Sequence, residues 1–216
     1  MKKYDRGNSP VDLNGIEKEC RQSGIDPWEY FYKQHRDMHD QLSVSLYEAQ
    51  MHYCAYCECQ LKHPSTAKNS HIEHLERRSD NPNRIFDWSN MFLSCVNKDS
   101  CGKFKDESKP KIVFNIQDII DPSHEDPQDF FQYDALGRIF PRDNISSSSQ
   151  KRAQETIRVF NLNSARLCNI RKSIASFVKT YQENEDEDEE IDFFLANLGH
   201  TDCLSVYYSL LGRRMP

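Results

Sequence analysis

The sequence predicts an α+β fold that is mainly helical, with a small zinc-stabilised core between helical N- and C-terminal extensions. Three observations predict it. Residues 1–49 and most of 113–216 carry helix-compatible patterns, whereas residues 50–112 switch to short mixed segments rich in cysteine and histidine. Hydrophobic residues make up 37% of the 216, charged residues 29%, and only 7 are glycine, which suits a polar helix-rich globular chain. Four of the eight cysteines fall in two close pairs that bracket the histidine-rich part.

In the N-terminal extension, 1–49, GIEKECRQSG reads as one helix and PWEYFYKQHRDMHDQLSVSLYEAQ as a second that Pro27 opens. The core, 50–112, follows. In the C-terminal region, 113–216, KIVFNIQDII (111–120) has the β-branched content of a strand, with helix left open. FQYDALGRIF (131–140) reads as two short strands around a turn containing Gly137. SSSSQ (146–150) caps a helix beginning near Lys151, and NLNSARLCNIRKSIASFVKTYQ is a further helix with Asn163 or Ser164 as its cap. The acidic linker 183–192, ENEDEDEEID, precedes the apolar IDFFLANLGHTDCLSVYYSLL, which is expected to pack on the body or on a partner.

The net charge of −6 is local in origin. Eight acidic side chains lie within 183–192, and without them 28 basic residues face 26 acidic ones. A nucleic-acid-binding surface is therefore compatible with the charge but not demanded by it. There is no run of 18 apolar residues and no apolar segment behind the basic MKKYDRGNSPVDL, so neither a membrane span nor a signal peptide is expected, and the expected location is cytoplasmic.

In a reducing compartment, clustered cysteines point to metal rather than disulfides. Cys54 and Cys57 have two residues between them, and Cys95 and Cys101 have five. Four thiolates in two pairs are the ligand set of a structural Zn²⁺. Cys59 can replace Cys57 in that set, and buried thiols or a redox pair are the competing readings. Cys20, Cys168 and Cys203 stand alone in helical sequence and read as small apolar core residues. A zinc ion would pin both ends of the intervening loop, a unit too poor in apolar residues to fold alone.

Inside that loop lies HIEHLERRSDNPNRIFDWSNMFLSC, residues 71–95. Buried His and Glu are costly unless paired or metal-bound, so His71, Glu73 and His74 in four residues suggest a site. Glu73-His74, Asn90 in DWSNMFLSC and the closing CGKFK with Lys105, together with the cysteine pairs, resemble the zinc-bearing branch of the HNH endonuclease family. Adding KYDRGNSP and the later NLNSARL, the chain is similar to the PtuB-type HNH subunits of Septu-type, retron-associated anti-phage systems.

The resemblance implies a ββα-metal core of a two-stranded ribbon and a helix. It implies Glu73 as ligand of a catalytic Mg²⁺ or Mn²⁺, His74 as general base and Asn90 as brace of the metal loop. The chemistry agrees: His can take a proton from water near neutrality, a carboxylate suits a hard cation and thiolates suit zinc. One departure is Gly102, where many family members carry a further ligand; Asp106, Asn97, His71 or water would have to complete the site. His71 reads equally as support for the ligand or as a surface residue. Arg77, Arg78, Lys103 and Lys105 are the candidate phosphate contacts, Trp88 reads as a core anchor, and His35 and His39 read as surface residues on one helix face. The implied function is hydrolysis of nucleic-acid phosphodiester bonds, DNA favoured, as effector subunit of a defence complex. The implied partners are a PtuA-like ATPase of the ABC/SMC type and a retron reverse transcriptase with its DNA, with no membrane. A catalytically dead zinc-stabilised adaptor and an RNA-cutting toxin are the alternatives.

Overall fold

The structure is a computed structural model and describes residues 1–184 and 202–214. Helix α1 (Leu13–Gln22) starts at Asp12, whose carboxylate accepts from the N–H groups of Asn14 and Gly15. Helix α2 (Pro27–Gln34) starts in the same way on Asp26, with Pro27 in its first turn. The chain then breaks at His35 (φ −119°, ψ 49°) before α3 (Arg36–Ala49). The single helix predicted from residue 27 to 50 is thus two. The break turns Trp28 and Phe31 of α2 and Leu42 and Leu46 of α3 into one core. It also takes His35 and His39 off a shared helix: His35 bonds Glu19 at 3.1 Å, and His39 turns inward onto Trp28 and Tyr32.

Strands β1 (Ser70–His74) and β2 (Met91–Cys95) pair antiparallel, Ser70 opposite Cys95 and His74 opposite Met91. Helix α4 (Cys101–Glu107) follows and packs on β2. The N-terminal segment clasps the ribbon: Arg6 lies 4.3 Å over the Phe92 ring and donates to the Met91 carbonyl at 2.6 Å, while Trp88, half-buried, donates its indole N–H to Gly7.

Residues 111–120 form neither of the regular elements considered for them, only a 3₁₀ turn at Ile116–Asp118. Their backbone is satisfied from α5 (Ser147–Val159) instead: Arg152 donates to the Gln117 and Ile119 carbonyls and Thr156 accepts from the Ile120 N–H. Strands β3 (Phe131–Tyr133) and β4 (Ile139–Pro141) pair around Gly137, at φ +77°, where a Cβ would lie 2.2 Å from the Cys168 carbonyl oxygen. Helix α5 begins four residues before the predicted Lys151, because Ser146 is its cap. Asn163 does not cap α6 (Ala165–Asn184); its amide bridges the N–H and C=O of Ile139. In α7 (Leu204–Leu210), Val206 and Tyr207 pack on Ile174 and Val178, joining this part of the apolar C-terminal segment to the body. The acidic linker beyond residue 184 and the chain up to residue 201 lie outside the described residues.

The fold is α+β and mainly helical. Its main buried cluster draws on all three sequence segments, including Phe31, Tyr56, Phe92 and Phe160. No described helix is long and apolar enough to cross a membrane.

Candidate active site and metal centre

Cys54, Cys57, Cys95 and Cys101 converge beside the ribbon, all buried, with their sulfurs within 4.8 Å of one another. Tetrahedral Zn²⁺ with bonds near 2.3 Å needs sulfurs about 3.8 Å apart, and Cys57 and Cys95 stand 3.9 Å apart. Four soft donors in this arrangement fit zinc. The local chain serves the cluster: the Cys95 N–H points at the Cys54 sulfur at 3.4 Å, and Cys101 takes a positive φ of 62° to turn inward. Burial opposes charge on Cys54, yet hydrogen bonds from Cys101, Cys57 and Cys95 hold its thiol well below the usual range. Cys59 stands outside the four. Its neighbours are Cys203, Cys57 and the Arg166 guanidinium 3.7 Å away, which bring its thiol down to about 3.

His74 ends β1 and is buried. Its Nε2 lies 2.8 Å from the Ile85 carbonyl oxygen, so Nε2 carries the proton and Nδ1 is the basic nitrogen. Burial pushes its pKa down to about 3, leaving the ring neutral at physiological pH. The Trp28 indole meets the ring edge-on at 4.6 Å. Ile85 belongs to the connection between the strands, and Asn90 ties that connection together. The Asn90 amide donates to the Glu76 and Arg84 carbonyls at 3.0 and 3.1 Å, and its oxygen accepts from the Glu76 N–H at 2.8 Å.

Glu73 lies on the opposite face of β1 from His74 and is 1% exposed. Its carboxylate meets the Lys105 ammonium at 2.6 Å and accepts from the Tyr56 hydroxyl. Burial raises its pKa, against the pull of Lys105. Nζ of Lys105 also donates to the carbonyls of His74 at 2.6 Å and Leu75 at 3.3 Å and lies 2.9 Å from Asp106. Gly102 is explained here: a Cβ at that position would lie 2.3 Å from Cγ of Glu73, so the helix can cross the strand only where no side chain intervenes. Of the residues considered to replace a ligand at 102, Asp106 is at this cluster, Asn97 caps its own loop by accepting from the Asp99 N–H, and His71 leaves Nδ1 buried without a partner. The oxygens around Nζ are of the kind a hard divalent ion takes, but the Lys105 ammonium fills their centre.

The residues expected at phosphate divide. Lys105 is fully buried and Arg77 is 6% exposed; Arg77 pairs with Asp106 and Asp80, donates to the Lys105 carbonyl and stacks on Phe114. Neither is open to a substrate: Lys105 is taken up by Glu73 and the carbonyls at the end of β1, and Arg77 by groups of α4 and its own loop. Arg78 and Lys103 are half-exposed, paired with Asp26 at 3.0 Å and Glu107 at 2.8 Å. Arg78 lines a cleft of about 350 Å³ between α2, α3 and β1, together with Trp28, Tyr32, Arg36, Lys68 and His71. Burial and then Lys103 lower the His71 pKa to about 4. Tyr56 and Trp28, which touch Glu73 and His74, escaped the sequence reading. The Tyr56 position inside CAYC was its one visible signal, and Trp28 lies in a helix remote in sequence.

No protein-family model matches the chain. It is 26% identical over 172 residues, 63% of this chain, to the "Retron Ec83 putative HNH endonuclease" of Escherichia coli. The chain spans 65% of that relative's length. The similarity covers less than two thirds of either chain.

Proposed function

We propose that the chain is an HNH-type endonuclease that hydrolyses nucleic-acid phosphodiester bonds, DNA favoured, with His74 as general base. The observation that carries this reading is the His74 imidazole. It ends β1 with its proton held on Nε2 by the Ile85 carbonyl and Nδ1 left as the basic nitrogen, and the loop that holds it is braced by Asn90 at the end of the ribbon opposite Cys95. Zinc in the cysteine cluster is structural, fixing the distance between ribbon and α4. A catalytic Mg²⁺ or Mn²⁺ would offset charge developing on the phosphate; Glu73 and Asp106 would hold it once the Lys105 ammonium is withdrawn from between them. Arg78 and Lys103 are the proposed phosphate contacts. On its resemblance to the PtuB-type subunits, the chain acts in a defence complex with a PtuA-like ATPase, and the retron in its relative's name suggests a retron reverse transcriptase with its DNA as a further partner.

One observation favours a second reading, a zinc-stabilised adaptor without catalysis: the Glu73 carboxylate is spent on Lys105. Incubating supercoiled plasmid, and separately RNA, with Mg²⁺ or Mn²⁺ distinguishes the two, alone and with the ATPase partner. Cleavage that His74→Ala abolishes while zinc content stays at one per chain supports the nuclease; cleavage by the variant at the wild-type rate removes His74 from the mechanism.

A further inference from the structure

Lys105 is fully buried, an uncommon place for an ammonium. Four oxygens surround its Nζ: Glu73 Oε1 at 2.6 Å, the His74 carbonyl at 2.6 Å, Asp106 Oδ1 at 2.9 Å and the Leu75 carbonyl at 3.3 Å. An ammonium has three protons to give to these four. Nζ makes aligned hydrogen bonds to the two carbonyls, and Asp106 Oδ1 accepts from Arg77; Glu73 Oε1 is the oxygen left without a donor, buried and, despite its closeness to Nζ, without an aligned hydrogen bond. It is served by charge alone, as an oxygen on a metal ion is.

The charges are also those of an ion site. Glu73 and Asp106 are balanced by Lys105 and by Arg77, whose Nε lies 3.2 Å from Asp106. A divalent ion added at Glu73 with Lys105 in place would stand a few ångströms from a like charge, with both Glu73 and Lys105 fully buried. With Lys105 removed, two carboxylates and two carbonyls face one another with only Arg77 to offset them. Of these oxygens the two at 2.6 Å already stand at the long end of Ca²⁺ bond lengths, and the farthest, at 3.3 Å, must close by about 0.7 Å or more.

We propose that the Lys105 ammonium is the resident cation of this centre, filling an oxygen site for one hard divalent ion, so that Glu73 takes up such an ion only when Lys105 is withdrawn or replaced. This concerns the cation at Glu73 and stands whether or not the chain cuts nucleic acid.

The test is Mn²⁺ and Ca²⁺ binding to the full zinc-loaded chain, followed by calorimetry and by thermal unfolding. The wild type is expected to show no Glu73-dependent uptake up to millimolar ion. Lys105→Ala is expected to gain one site at least tenfold tighter, lost again in E73Q/K105A, and its unfolding temperature should rise with Mn²⁺ more than that of the wild type. The neutral pair E73Q/K105M keeps the packed volume and should bind no ion. If Lys105→Ala does not fold in metal-free buffer, refolding yield with Mn²⁺ replaces the titration, and rescue is the expected result. Wild-type uptake abolished by Glu73→Gln, or a Lys105→Ala variant that neither binds nor is rescued, overturns the proposal.

Discussion

Replacing Gly102 by alanine tests how closely α4 crosses Glu73. The new methyl would lie 2.3 Å from Cγ and 3.2 Å from both Cβ and Cδ of Glu73. In an open helix the change would be favourable by about 1 kcal/mol. Here Glu73 must retreat by about an ångström, and it is fully buried between Tyr56 and Lys105. Overpacking of this kind costs about 1–3 kcal/mol, and a weakened buried ion pair adds to it, so a net loss of about 2–4 kcal/mol is expected. For a chain of this size that is a fall of about 5–10 °C in unfolding temperature. Denaturant unfolding of G102A should be compared with the same change in an E73A/K105M background, where Cγ and Cδ of Glu73 and the ammonium are gone and only Cβ, at 3.2 Å, remains. There the substitution should be close to neutral, giving a coupling of about 2 kcal/mol or more. A G102A protein within about 0.5 kcal/mol of wild type, or an equal cost in both backgrounds, would refute this account of the glycine.

Other outcomes follow from the same geometry. Cys101→Ser and Cys95→Ser should lose the zinc measured by elemental analysis, and Cys59→Ser should retain it, because its sulfur lies outside the four that converge. Stability should fall as pH drops below about 6.5, because His74 and His71 have folded pKa values of about 3 and about 4. The unfolded chain therefore binds protons that the folded chain refuses: the stabilisation is complete above the unfolded pKa and declines toward pH 4, by about 1.4 kcal/mol per pH unit for each ring. Urea unfolding at pH 7 and pH 5 should show a smaller loss in His71→Gln than in wild type; an equal loss would contradict the burial of that ring. Arg78→Ala should weaken nucleic-acid binding and lower its salt dependence with little change in stability, whereas Arg77→Ala should lower the unfolding temperature, since it removes the donor to the Lys105 carbonyl and one of the two cations at Asp106.

Local signals were legible in the sequence wherever chemistry and spacing act over a few residues. Ser146 caps α5, Gly137 turns β3 into β4, and CAYC with the later cysteine pair marks a set of sulfurs that does converge. What failed depends on distant partners. Residues 111–120 look strand-like because of their β-branched content, yet the side chains of Arg152 and Thr156 satisfy their backbone and remove the need for a ladder. The long helix from Pro27 breaks because two faces of it must reach one core.

The amino-acid sequence by itself determined the class of fold, the two cysteine pairs and the concentration of His, Glu and Asn between them, since residue type and short-range spacing decide those. Only the tertiary structure decided how charge is spent. Lys105 looks like a phosphate contact on the page, one residue in a basic stretch after the last ligand. In space α4 crosses β1 at Gly102 and delivers that ammonium to Glu73, away from water. A charge's role is set by what it faces and how far it is buried, and neither quantity is written in the order of residues.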